Sequence, residues 1–162
     1  MRPTDSLLHR PGLILTGLLA LAMTAFACQT RPNAVVESEG QQPGNAVVRD
    51  ISGAELLALI ADRPDLLLID VRTEQEWEQG HIPGAAFLDF LEDDFEERAF
   101  TLPKGRPIAV YCAAGGRSED AMMQMKNAGF QELYNLRGGF YGWEDAGLDV
   151  SKADPVALPS RD

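Results

Sequence analysis

The chain has 162 residues, enough for one domain with a sizeable core and too few for two of ordinary size. Its 14 Lys and Arg against 25 Asp and Glu give a formal charge of −11. That balance argues against nucleic acid or an anionic membrane surface as partner, since both need a basic face.

Residues 1–28 read as an export signal, with a basic start at Arg2 and Arg10 and an apolar stretch from Leu13 to Phe26 broken only by Gly17 and two threonines. The stretch falls short of the ~20 apolar residues that span a bilayer comfortably. Two cleavage patterns compete. Ala25-Phe26-Ala27 fits ordinary signal peptidase, whereas Ala27-Cys28 resembles the end of a bacterial lipobox, although Ala25 and Phe26 stand where leucine and a small residue are usual. On the lipobox reading Cys28 carries lipid, and the protein sits on the periplasmic side of a bacterial membrane; on the other it is soluble in the periplasm or secreted. Residues 29–45 are polar, carry Pro and Gly and show no sustained period, as in a flexible tether.

The folded domain is expected over 46–148. Val47-Val48 opens a strand, and Ser52 with Glu55 forms a capping box for a helix through Ile60. Leu66-Leu67-Leu68-Ile69 is apolar on both faces, as in a parallel strand covered by helices. It runs into Asp70-Val71-Arg72, and Thr73 with Glu76 makes a second capping box for a helix over Glu74 to Gln79 that carries Trp77. A turn-rich passage, Gly80-His81-Ile82-Pro83-Gly84-Ala85, leads to a strand near Ala86-Phe87-Leu88. Residues 91–100 set Glu92, Asp93, Asp94, Glu96 and Glu97 around Leu91, Phe95 and Phe100, the pattern of a helix with a solvated acidic face rather than a metal site.

Ile108-Ala109-Val110-Tyr111 is a further apolar strand, followed by Cys112-Ala113-Ala114-Gly115-Gly116-Arg117-Ser118 and then a helix. Ala121, Met122, Met125 and Ala128 recur at helical spacing as a core-facing stripe. Met122 and Met123 project about 100° apart on a helix, which disfavours a copper-binding methionine cluster. Gly129 ends that helix, Glu132 to Asn135 forms a strand, and Leu136-Arg137-Gly138-Gly139 precedes Trp143, a core anchor. The tail over 149–162 is Pro-containing and is expected to be loose. Alternating strands and helices give an α/β class with a central parallel sheet of about five strands flanked by helices.

A cysteine between a strand and a helix sits where the N–H groups of a small-residue loop and of the helix's first turn converge on an anion, which lowers the thiol pKa. Ala113, Ala114, Gly115 and Gly116 leave that convergence open, and Arg117 adds a positive charge at the loop's far end. If Cys28 is lipidated, Cys112 has no partner in its own chain, a liability in an oxidising compartment unless its chemistry is used.

Asp-Val-Arg, then Glu-Trp-x-x-Gly-His-Ile-Pro-Gly-Ala, then Cys-x-x-Gly-x-Arg-Ser, then Gly-Gly-x-x-x-Trp, in this order, resemble the rhodanese-like sulfurtransferases over about residues 46–148. The loop also resembles that of protein tyrosine phosphatases, but those have five residues between nucleophile and arginine where this chain has four. The resemblance implies a rhodanese-like fold and Cys112 as a nucleophile carrying a persulfide, with Ala113 to Ser118 as its cradle. It also implies transfer of sulfane sulfur from a donor such as thiosulfate to a thiol or cyanide acceptor, without cofactor or metal. His81, a general-base candidate by residue type, becomes a structural turn residue on the same resemblance. Asp70 and Arg72 lie on the carboxyl edge beside the site, and a structural ion pair is favoured for them over substrate contact. Ala113 and Ala114 stand where many relatives have basic or polar side chains, so an anchored sulfur-carrying or thiol-binding module serving a partner protein is the alternative.

Overall fold

The structure, a computed structural model, describes residues 46–159; the leader, Cys28, the tether and the last three residues of the tail lie outside the described residues. Five strands, β1 (Val47–Ile51), β2 (Leu67–Asp70), β3 (Ala86–Phe87), β4 (Ile108–Tyr111) and β5 (Glu132–Leu136), form one sheet in the order β1-β5-β4-β2-β3. Every pairing in it is parallel. Helices α1 (Gly53–Asp62), α2 (Glu74–Gln79), α3 (Phe95–Ala99) and α4 (Gly116–Asn127) fill the four crossovers, and α5 (Gly139–Asp145) follows β5.

The apolar strands are buried on both faces because alternate side chains enter two separate cores. Leu67, Ile69, Ile108, Val110 and Leu133 pack with Phe95 of α3 and with Ala121, Met122 and Met125 of α4. Leu68, Ala109, Tyr111, Tyr134 and Leu136 pack on the other face with Leu56 of α1, Trp77 of α2 and Phe140 and Trp143 of α5. Met123, between the buried methionines, points away and is 41% exposed. Both capping boxes form: Ser52 and Thr73 each accept the N–H three residues on, and Glu55 and Glu76 each take the cap residue's own N–H.

Two expectations are corrected. The helix expected over 91–100 is confined to Phe95–Ala99, since Asp89 accepts the Leu91 N–H through its side chain and so holds the chain in a turn that competes with helix. The tail is also tied down as far as it is described. His81 and Ser151 form an antiparallel bridge, the Val156 N–H donates to the Ala85 carbonyl, and Leu158 packs against the α3 and α4 core.

β4 lies at the centre of the sheet, so its carboxyl end is flanked by the ends of β5 and β2. Such an edge is where open parallel sheets place their sites, and Cys112 is the first residue beyond it.

Candidate active site

Cys112 is 2% exposed, with the loop over 113–115 folded back around its sulfur. Gly115, at φ +109°, is the residue before α4; that conformation suits glycine, and it aims the Gly115 N–H at Sγ over 3.1 Å. Burial pushes the Cys112 thiol up, yet the Ser118 hydroxyl and the N–H groups of Ser118, Gly115 and Ala114 outweigh it, so the net shift is downward. The loop thus presents donors to a single sulfur.

Ser118 Oγ lies 3.5 Å from Sγ, 3.1 Å from the Gly115 carbonyl and 2.7 Å from Asn135 Oδ1. Asn135 Nδ2 in turn donates to Asp50 over 2.9 Å. Asn135 and Asp50 were not singled out from the sequence. An asparagine inside the apolar run of β5 was the available signal, since a buried amide must find partners.

The loop is held from behind by α5. Phe140 N–H donates to the Cys112 carbonyl over 2.8 Å and Tyr141 N–H to the Ala113 carbonyl over 3.0 Å. Those bonds need the chain to pass so close that a Cβ on Gly139 would lie 2.3 Å from the Cys112 carbonyl oxygen. Gly139 therefore serves the Cys112 loop, a role that spacing alone did not disclose.

Arg117 reaches across to α2, where its two terminal nitrogens donate to the two Glu76 oxygens over 2.8 and 2.7 Å. Arg117 holds Glu76 well below the usual carboxylate range, at about 2, against the opposing effect of burial. Glu76 chiefly, with Cys112 adding to it, raises the Arg117 guanidinium in turn. Glu76 thus closes a capping box and clamps the loop arginine at once, and only the first role was legible in Thr-x-x-Glu.

Asp70 and Arg72 form a two-toothed ion pair of 2.7 to 3.0 Å, both fully buried, and Arg72 also donates to the Gly80 carbonyl. The Arg72 guanidinium lies 4.0 Å above the Phe140 ring. Its donors are turned into the protein, a geometry that serves the sheet edge rather than a ligand. His81 is buried and stacked on Trp77 with ring centroids 3.5 Å apart, and burial lowers its pKa. Among the described residues no three His, Cys, Asp or Glu side chains cluster as a metal ion requires. An apolar cavity of about 310 Å³ lined by Leu57, Ile60, Ile82, Pro83, Trp143 and Leu148 contains none of the loop residues.

Residues 52–146, more than half of the chain, match the model of the rhodanese-like domain. The chain belongs to the rhodanese-like domain family. This rhodanese-like chain is 36% identical over 104 residues to a sulfurtransferase of Allochromatium vinosum, covering 64% of the chain and 95% of that protein. It is 33% identical over 97 residues to the thiosulfate sulfurtransferase GlpE of Coxiella burnetii, covering 59% and 87%. A 38% identical stretch of 78 residues matches the probable adenylyltransferase/sulfurtransferase MoeZ of Mycobacterium tuberculosis, covering 48% of the chain and 20% of that protein. Among solved structures, the Alr3790 protein of an Anabaena species superposes with a TM-score of 0.57 at 28% identity, over 64% of this chain and 82% of that one. Rhodanese-like relatives with sulfurtransferase activity support a transferase here, and the fold is the one those neighbours share.

Proposed function

We propose that this protein moves sulfane sulfur from a donor such as thiosulfate to a thiol or cyanide acceptor through a persulfide on Cys112. The observation that carries this reading is the convergence of the Gly115, Ala114 and Ser118 N–H groups on a sulfur whose pKa is lowered in spite of its burial. The Cys112 thiolate forms an S–S bond with the donor's outer sulfur while that sulfur's bond to the sulfonate breaks, and sulfite leaves with the electron pair. The acceptor then attacks the outer sulfur and returns Cys112 as thiolate. In the interval the negative terminal sulfur rests among the loop N–H groups.

Incubating the domain with thiosulfate is expected to add one sulfur, about 32 Da, to Cys112, and cyanide is expected to remove it as thiocyanate. Intact-mass measurement on wild type and Cys112→Ser decides the matter, and an adduct that persists in the variant places the chemistry elsewhere. An adduct that forms but turns over poorly with cyanide favours the carrier reading, in which a partner protein takes the sulfur.

We also propose export and attachment to the periplasmic face of a bacterial membrane by lipid on Cys28, with residues 29–45 as tether; the lipobox-like Ala27-Cys28 supports this. The lipidated wild type should partition into detergent and Cys28→Ala should not. Equal partitioning of the two would favour cleavage after Ala27 without lipid.

A further inference from the structure

The loop's positive charge is already engaged. Arg117 spends both terminal nitrogens on Glu76, in a pair whose side chains are 25% and 26% exposed. Glu76, at about 2, stays ionised throughout the neutral range, so the clamp is permanent there. Arg72, whose guanidinium lies over the Phe140 ring, is matched in the same way by Asp70. Ala113 and Ala114 bring no charge to the rim, while Glu119 and Asp120 stand exposed in α4 just beyond Arg117. The helix and loop N–H groups can hold one negative sulfur, but nothing in this set offers a free cation to a second charge on the same donor.

We propose that Glu76 is the specificity-determining residue of the site: by neutralising Arg117 it favours sulfane donors of single negative charge over the thiosulfate dianion. This rests on the Cys112 persulfide reading and narrows its substrate class to singly charged donors such as organic thiosulfonates and persulfides. The pair methanethiosulfonate and thiosulfate isolates the effect, because a methyl group replaces one charged oxygen. With methanethiosulfonate the Cys112 thiolate bonds to the outer sulfur, the sulfur–sulfonyl bond breaks, and methanesulfinate leaves with the electron pair.

Coulomb energy scales with the product of the charges, so freeing the guanidinium favours a dianion twice as strongly, in free energy, as a monoanion. Glu76→Gln keeps the size of the side chain and an acceptor for the Thr73 cap. It is expected to raise kcat/KM for thiosulfate about tenfold and for methanethiosulfonate about threefold, chiefly through KM, with the gain fading at high salt. Glu76→Asp, which keeps the charge, should leave the ratio between donors near that of wild type, an outcome a merely structural role for Glu76 would not single out. Ala114→Lys sets a cation on the exposed rim without touching the clamp and should shift the ratio in the same direction, which decides the matter if Glu76→Gln does not fold. An unchanged donor ratio in the charge variants, with Cys112 still loaded by either donor, overturns the inference. Failure of both donors to load wild-type Cys112 overturns the sulfur-transfer reading itself.

Discussion

Gly139→Ala is expected to abolish sulfur transfer and to lower the melting temperature by more than about 10 °C. Gly139 sits at φ +56°, and a Cβ there would lie 2.3 Å from the Cys112 carbonyl oxygen and 2.7 Å from the Ala113 carbonyl carbon and oxygen. All three are backbone atoms that no rotamer change can move aside. The left-handed conformation alone costs about 1–2 kcal/mol for a residue with a Cβ. Relief of the clash must come from retreat of α5, which breaks the Phe140 and Tyr141 N–H bonds to the loop carbonyls and leaves those carbonyls buried without partners. Together these put the loss at roughly 3–5 kcal/mol, at several degrees per kcal/mol for a domain of this size. Peptide planes are rigid, so releasing the Cys112 and Ala113 carbonyls also turns the N–H groups of the residues that follow them, and the cradle loses its aim. Gly138→Ala is the matched control. Its φ of +80° carries the same backbone cost, but its nearest contact is 3.6 Å, so it should lose about 1–2 kcal/mol and keep activity. Thermal melts and persulfide loading of the two variants test the argument, and a Gly139→Ala protein that melts within 2 °C of wild type and still transfers sulfur would falsify it.

What the sequence discloses of this fold divides along contact range. Capping boxes, apolar strand runs and the helical stripe of α4 are set by neighbours within a few residues, and those elements lie where the local patterns put them. Strand order, β1-β5-β4-β2-β3, is set by pairings between distant segments and is written in no local pattern. The Cys112 loop was legible because a strand, a run of small residues and a helix are contiguous around it. What was not legible spans longer separations. Arg117 and Glu76 are 41 residues apart, and Asn135 and Asp50 are 85 apart. A glutamate three residues after a threonine is fully accounted for by its cap, so nothing local signals a second partner. The acidic stretch before α3 misled for the opposite reason: its periodicity was helical, but Asp89 took a backbone N–H first. The tail, short of apolar residues, is held by main-chain bonds to His81 and Ala85, which composition does not encode.

Asp70→Asn is expected to cost about 3–5 kcal/mol, comparable to the loss at Gly139, while leaving the reacting atoms untouched. Asp70 is 0% exposed and Arg72 is 2% exposed, so neither charge has water to fall back on. Asp70 accepts the Arg72 Nε and terminal nitrogen and also the Arg72 backbone N–H, and the Arg72 guanidinium continues to the Gly80 carbonyl. Tyr111, the residue before Cys112, joins the same knot. Its hydroxyl accepts the Ile82 N–H, and burial, with Asp70 adding to it, holds the phenol far above its ordinary pKa. An amide at position 70 keeps the shape but removes the charge that balances Arg72, and an unpaired guanidinium at this depth carries the whole desolvation penalty. If that penalty is the cause, removing the second charge should recover stability even though more bonds are lost. The double variant Asp70→Leu, Arg72→Met leaves the Gly80 carbonyl and the Tyr111 hydroxyl short of a partner, at about 1–3 kcal/mol for a buried polar group. It should therefore fall between wild type and Asp70→Asn, near 2 kcal/mol below wild type. Urea titration of the three proteins separates the cases. A double variant less stable than the single would mean that the hydrogen bonds of Arg72 to the Gly80 turn, rather than its unbalanced charge, hold the edge of the sheet beside Cys112.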